Sequence, residues 1–155
     1  MIADLRGESV VAYPYGSWKD RINPSANGLS VLGGKGAQGD GGVCGILSPV
    51  YNVGGATWLE IALGVGQANE GATVVIGLED MDGTLVTAQV RIDQIMPQQP
   101  VWFRVPLTAF HPVGGEYAGR TPGMDFTTIS KWHVQGEWGV KKPYQLVLIA
   151  LRARR

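Results

Sequence analysis

Apolar and polar side chains alternate in a series of short segments of this sequence, and this alternation restricts the fold more than any other feature. In residues 57–65, Leu59, Ile61 and Leu63 occupy every second position, and residues 73–80 repeat the pattern. A period of two places one side of a β-strand in a core and leaves the other side in solvent. No segment shows the 3.6-residue period of an amphipathic helix. The sequence therefore predicts an all-β protein.

Eight segments are predicted as strands. They are residues 29–34, 43–51, 57–65, 73–80, 85–92, 101–107, 131–138 and 144–153. Glycine supplies 23 of the 155 residues, which is well above average usage, and it clusters between these segments. Asp82-Gly83 is a strong hairpin-turn signal. Eight strands without helices predict a two-sheet antiparallel β-sandwich that occupies residues 1–155 as one domain.

Charge and hydropathy exclude several partners. Lys+Arg and Asp+Glu both number 13, so the net charge is zero and no basic footprint for nucleic acid or an acidic membrane is present. No run reaches the roughly 18 apolar residues of a membrane span. No signal peptide is visible after Met1. Cys44 is the single cysteine, so an internal disulfide is excluded.

Motifs for catalysis are weak. Residues 34–39 match G-x-G-x-x-G, but the sequence that follows is glycine-rich and strand-like, whereas a dinucleotide site needs a helix there. His111 and His133 lack metal-ligand spacing. Turn chemistry explains Asp80 and Asp82 better than a pair of catalytic carboxylates does. No constellation meets the requirements of an active site, so an enzyme is the least favoured alternative.

The order of motifs in the second half of the chain is more specific. "VVIGLEDMDGT" is followed by "VWFRVPLTAF", then by the glycine-rich "HPVGGEYAGRTPG", then by "MDFTTISKWHVQG". From about Thr57 onward this order resembles galactose-binding-like jelly rolls, and among them the β-glucan-binding carbohydrate-binding modules of bacterial glycoside hydrolases. The resemblance implies a non-catalytic module that binds a polysaccharide. It also implies that this module is extracellular and forms part of a larger multi-domain enzyme. A complex I assembly-factor family shares the same frame, so a protein-interaction domain is the alternative.

The resemblance also brings a structural calcium ion into consideration. Related modules often supply an aspartate from the last strand, but "LVLIALRARR" contains no acid. Asp4 and Glu8 are the remaining weak candidates, and a hard cation needs six to eight oxygen ligands. No cofactor is required by the sequence, and calcium is left open.

The predicted binding site follows from combining the resemblance with the alternation. The resemblance places segments 43–51, 73–80, 85–92 and 131–138 in one sheet whose outer face forms a groove. Hydrogen bonds to sugar hydroxyls are expected from Glu79, Gln89, Arg91, His133 and Gln135. Ring stacking is expected from Tyr51, Tyr117 or Trp138, and Arg120 joins Tyr117 by its position in the loop. Polar residues on the outer face of a strand are also expected without any ligand.

Two further expectations concern tryptophans. In "WHVQGEW", Trp132 and Val134 are predicted to face the core, and a bulge at Gly136 would turn Trp138 toward the end of the groove. On the other sheet, four outward residues are expected to have a packing role beneath the aromatic segment 10–18. They are Trp58, Glu60, Trp102 and Arg104.

Overall fold

The computed structural model describes residues 1–7, 9–33, 41–65, 73–92, 100–136 and 144–155. These residues form twelve strands. The strands are β1 (Ala3–Asp4), β2 (Tyr13–Tyr15), β3 (Ile22–Ser25), β4 (Gly28–Gly33), β5 (Gly42–Tyr51), β6 (Trp58–Val65), β7 (Thr73–Asp80), β8 (Leu85–Arg91), β9 (Val101–Pro106), β10 (His111–Pro112), β11 (Ile129–Gly136) and β12 (Tyr144–Arg154). Three short 3-10 turns complete the described secondary structure. Within these ranges no helix has the length and apolar character needed to cross a membrane.

The strands form two antiparallel sheets. Sheet A has the order β3-β4-β12-β6-β9, and β1 pairs with β12 beside this path. Sheet B has the order β10-β8-β7-β11-β5-β2. The two sheets form a β-sandwich of the jelly-roll type, so the predicted fold class is confirmed. All four segments predicted to share one sheet lie in sheet B as β5, β7, β8 and β11.

The core lies between the two sheets and is built from the apolar positions of the alternating segments. Leu59, Ile61 and Leu63 of β6 are fully buried, as are the alternate apolar residues of β7. Burying one such side chain contributes about 1.5–3 kcal/mol. Trp132 is 2% exposed and Val134 is fully buried, so their predicted inward orientation is confirmed.

The N-terminal aromatic segment corrects one expectation. Residues 10–18 do not cover sheet A, because β2 pairs with β5 at the edge of sheet B. Pro14 lacks a backbone N–H, and an edge strand tolerates that loss. Trp18 instead enters the core, where it is fully buried. Trp102 on sheet A is left 41% exposed, so its predicted burial under this segment is wrong.

Candidate functional site

Strand register sorts the outward side chains of sheet B into rows that cross several strands. The middle row runs through Tyr13, Cys44, His133, Gly77, Thr87 and His111. A second row runs through Tyr15, Gly42, Gln135, Val75 and Gln89. A third row runs through Ile46, Lys131, Glu79 and Leu85. We call this surface the sheet B outer face.

Glu79 is the centre of a hydrogen-bonded network on this face. Its Oε1 accepts from Lys131 Nζ at 2.6 Å, and its Oε2 lies 2.9 Å from His133 Nε2. The side chains of Glu79 and His133 are only 12% and 11% exposed, whereas Lys131 is 38% exposed. Each carboxylate oxygen has two lone-pair sites, so the carboxylate can accept further hydrogen bonds. The network therefore holds a partly used acceptor in a fixed position.

His133 is expected to be neutral in this network. Burial lowers the pKa of His133, and the hydrogen bond to Glu79 opposes that shift only in part. A neutral imidazole beside a carboxylate donates from the nitrogen that faces it, which assigns the proton to Nε2. Nδ1 then carries the ring's acceptor lone pair. The charges of Glu79 and Lys131 balance each other, so the middle of the face has no net charge.

Gln135 and Tyr15 form a second fixed unit. Gln135 Nε2 donates to the Tyr15 hydroxyl at 2.7 Å, so the hydroxyl's own proton is available for a different acceptor. Burial raises the pKa of Tyr15 to about 12, which keeps this proton in place at neutral pH. A Cβ on Gly42 would lie 2.5 Å from Tyr15 Cζ, so the ring lies directly over the backbone of β5. Only glycine at this position allows the ring to lie so close.

Tyr117 belongs to the loop beyond β10 and stands near the same face. Its ring is 41% exposed. The charges of Glu116 and Glu79 and partial burial raise the pKa of its hydroxyl, whereas Lys131 opposes the shift. Tyr117 also contributes to the raised pKa of Tyr15. Tyr117 therefore lies within electrostatic range of Glu79 and Tyr15, and its role at the rim of the site stays a prediction.

The Asp80–Thr84 hairpin holds this loop in place. The buried Asp80 carboxylate accepts three backbone N–H bonds at 2.9 Å, two from within the hairpin and one from Asp125. Asp82 Oδ2 accepts the backbone N–H groups of Arg120 and Thr121, each at 2.6 Å. We call these contacts the loop latch. Both aspartates were predicted to shape the hairpin turn. In the structure their carboxylates also anchor the loop, through Asp125, Arg120 and Thr121.

Gly119 shows how tightly the latch is packed. Its φ of +75° lies in the left-handed region, and an added Cβ would clash with Thr84 Oγ1 and approach Asp82 Oδ2 at 2.9 Å. Glycine is therefore required here both for its conformation and for its lack of a side chain.

Three other predicted site residues are exposed to solvent. Gln89 and Arg91 are exposed on the outward side of β8, and Arg120 is exposed in the latched loop. Trp138 lies outside the described residues, so its orientation stays a prediction. The G-x-G-x-x-G segment lies outside them too.

Tyr51 is not brought to the sheet B outer face. It lies opposite Ile129, which is fully buried, and its ring packs against the core. Its hydroxyl accepts from the Met1 ammonium group at 3.1 Å. Between the pairs Lys131–Ile46 and Ile129–Tyr51, four residues of β5 face one residue of β11. The irregularity does not change the parity of β5, because Tyr51 lies eight residues after the buried Val43 and faces the core as Val43 does. Tyr51 was predicted as a stacking ring from its place at the end of the strand.

Tyr13, Tyr15 and Lys131 stand out among the residues of the face that were not predicted as site residues. The tyrosines are two positions apart in "YPY", which places them on one side of an extended segment. That spacing does not reveal which sheet the segment joins. Lys131 stands two positions before His133 and shares its parity, so alternation alone could have identified it.

Of the two weak calcium candidates, Asp4 is already paired with an arginine. Both oxygens of Asp4 accept from Arg6, from Nε at 2.8 Å and from Nη2 at 2.6 Å. Arg6 lowers the pKa of Asp4 to about 2, and its guanidinium would repel a cation placed beside this carboxylate. Glu8 lies outside the described residues. Among those that are described, no three His, Cys, Asp or Glu side chains form a group that could hold a metal ion.

No protein-family model matches the sequence, and no curated protein sequence matches it. Solved structures share its fold. A family 11 carbohydrate-binding module from Clostridium thermocellum, in complex with a β-1,3-1,4-mixed-linked tetrasaccharide, has a TM-score of 0.57 at 14% identity over 97% of this chain and 94% of that one. A family 28 module described as specific for non-crystalline cellulose has a TM-score of 0.59 at 14% identity, over 98% and 97% of the two chains.

An agarase has a TM-score of 0.60 at 14% identity over 93% of this chain. The present chain covers only 25% of the agarase chain. At this level of identity, these comparisons establish a shared fold.

Proposed function

We propose that this domain is a non-catalytic carbohydrate-binding module and that its sheet B outer face binds a neutral polysaccharide chain of the β-glucan class. The observation that carries the proposal is the absence of net charge where Glu79, Lys131 and a neutral His133 are fixed beside the Gln135–Tyr15 pair. An uncharged ligand with many hydroxyl groups suits donors and acceptors without net charge.

The polar groups are ordered before any ligand arrives. Glu79 and Gln135 each have a protein partner and retain further hydrogen-bonding capacity. A ligand that uses this remaining capacity need not immobilise the side chains, which lowers the entropic cost of binding. The groups therefore act as a fixed template for hydroxyls along a sugar chain.

Tyrosine rings supply the complementary apolar contact. Tyr13 is 49% exposed and lies in β2 with Tyr15, and Tyr117, in the loop after β10, is 41% exposed. The C–H face of a pyranose packs against such rings, while its hydroxyls reach polar neighbours. Because two proteins of this fold are described with a β-linked tetrasaccharide and with cellulose, β-glucans are the first ligands to test.

The test is a titration of soluble mixed-linkage β-glucan and cello-oligosaccharides, followed by calorimetry and by affinity gel electrophoresis. Tyr15→Phe keeps the ring and removes the hydroxyl, whereas Tyr117→Ala removes a ring at the rim. We expect both substitutions to weaken binding, and we expect Lys19→Gln, an exposed change outside this face, to leave it unaltered. Absence of binding to every neutral glycan on a broad array would refute the proposal.

A polypeptide partner is the second candidate for the same face. Ile46 is 59% exposed, and it is two residues from Cys44, the register partner of the exposed Tyr13. Exposed apolar side chains on one face favour protein contacts. A protein ligand that competes at this face, together with no glycan binding, would favour this candidate.

A further inference from the structure

The outer face of sheet A carries a cluster of charged and aromatic side chains that the proposed function does not use. Glu60 lies at its centre, directly between Arg152 of β12 and Arg104 of β9 in strand register. Arg104 donates from Nε to Glu60 Oε1 at 3.0 Å, and Arg152 donates from Nε to Oε2 at 2.6 Å. Arg154 Nε stands 3.5 Å from the same Oε2. We call these four residues the arginine cluster.

Two tryptophans hold the guanidinium groups in place. Arg152 lies over the ring of Trp102 at 3.7 Å from its centroid, and Arg104 lies over Trp58 at 5.6 Å. Glu60 is only 3% exposed, although it points away from the core. Arg104 and Arg152 are therefore each held by the shared Glu60 carboxylate and by one aromatic ring.

The cluster has unused capacity for an anion. A guanidinium group has five N–H donors, and Glu60 occupies only some of those on each arginine. Side chains of Arg104 and Arg154 remain 61% and 55% exposed. Three arginines against one carboxylate leave an excess of two positive charges at this position. The sheet B outer face has no comparable excess at its centre.

A ligand-sized cavity adjoins the cluster. Its volume is about 730 Å³, within the usual range of about 300–1,000 Å³ for small-molecule sites. The floor consists of small and aliphatic side chains, namely Ala62, Gly64, Val147, Ile149 and Ala150. Trp102 forms part of the wall, and Asn27, Gln145 and Arg6 add polar groups. Trp102 thus joins the cavity to the arginine cluster.

We propose that the outer face of sheet A is a second glycan-binding site, which takes an oligosaccharide with acidic groups, either carboxylates or sulfate esters. One sugar unit occupies the cavity against Trp102, and an acidic group accepts hydrogen bonds from the arginine cluster. Arginine suits both anions, because its planar donors match their oxygens in pairs. A concave cavity suits a sugar unit, whereas a protein partner usually needs a flatter surface of roughly 800 Å².

The experiment compares three oligosaccharides of equal length by calorimetry: an oligomer of a uronic acid, a sulfated galactan fragment and a neutral cello-oligosaccharide. We expect at least one acidic ligand to bind, with affinity that falls as NaCl rises. A preference for the uronate or the sulfate identifies the source of the acidic group. Trp102→Ala should weaken binding about tenfold or more, and Arg154→Gln should weaken it severalfold.

Controls separate this site from the first one. Lys19→Gln removes a positive charge elsewhere and should leave binding of the acidic ligand unchanged, as should Tyr117→Ala in the loop beyond β10. Arg154→Gln removes the most distant partner of Glu60, so it tests the site even if Trp102→Ala fails to fold. The proposal is overturned if neither acidic ligand binds, if Lys19→Gln weakens binding as much as Arg154→Gln, or if polyglutamate binds equally well.

Discussion

Val134 and Gln135 are neighbours in β11 whose side chains lie on opposite faces of sheet B, so alanine substitutions separate stability from binding. Val134 is fully buried, and Val134→Ala removes two carbon groups worth about 0.8 kcal/mol each and leaves a small cavity. We therefore expect the free energy of unfolding to fall by about 2 kcal/mol. Affinity for a β-glucan should change little.

Gln135→Ala should have the reverse effect. It removes the 2.7 Å hydrogen bond to Tyr15, which is partly exposed to solvent, so the stability loss should be about 0.5 kcal/mol. It also removes an amide that faces the proposed ligand and releases the Tyr15 hydroxyl. Loss of one or two ligand hydrogen bonds should weaken glucan binding by about fivefold to tenfold.

Urea unfolding followed by tryptophan fluorescence measures the first quantity, because a change in midpoint at constant slope reports stability. Calorimetric titration with a soluble glucan measures the second. If Gln135→Ala cost 2 kcal/mol or more while Val134→Ala cost nothing, the assignment of faces would be inverted. If Gln135→Ala left the affinity of a binding-competent protein unchanged, the sheet B outer face would not be its glucan site.

Three other predictions test separate features. Gly42→Ala should displace the Tyr15 ring, because the new Cβ would lie 2.5 Å from Cζ; binding should weaken in the glucan titration while the protein stays folded by circular dichroism. Burial lowers the pKa of His133 below its ordinary value of 6.5. The neutral His133 side chain should therefore stabilise the fold fully above pH 6.5, and this stabilisation should be lost as the pH falls toward the folded-state pKa. Urea unfolding across this range should show less pH dependence for His133→Gln. Asp80→Asn removes the charge from a buried side chain that accepts three backbone N–H groups. It should lower the free energy of unfolding by about 2 kcal/mol and speed proteolysis in the loop. Equal rates of cleavage in the two proteins would contradict the role of the loop latch.

Alternation was sufficient to predict the faces of the regular strands. Val74, Ile76 and Leu78 are buried as expected, and Glu79 and His133 point to the opposite side. A strand with one buried face has a single parity, because a shift by one residue would expose its whole apolar set. The grouping of four strands into one sheet came from the resemblance to jelly rolls, because alternation does not predict which strands pair with each other.

The failures have separate causes. Counting by twos from the buried Val43 places Tyr51 on the core side of β5, so its choice as a stacking residue went against the alternation. Tyr15 belongs to a strand of three residues, which is too short for a pattern to show which sheet it joins. The tie between Asp82 and Thr121 spans 39 positions in the sequence, and no local rule predicts such a contact.

The loop latch divides its loop into two parts with different freedom to evolve. Val113 is tied to Leu85 by a backbone hydrogen bond, and Ala118 forms a bridge with Thr84. The four residues between these anchors, including Tyr117, make no contact with the two latch aspartates among the hydrogen bonds of the described chain. Gly114 and Gly115 of this segment have φ values of +77° and +60°, which favour glycine, whereas Glu116 and Tyr117 carry no such requirement. We therefore expect substitutions of Glu116 and Tyr117 to change the rim of the proposed site while the hairpin beneath them folds as before.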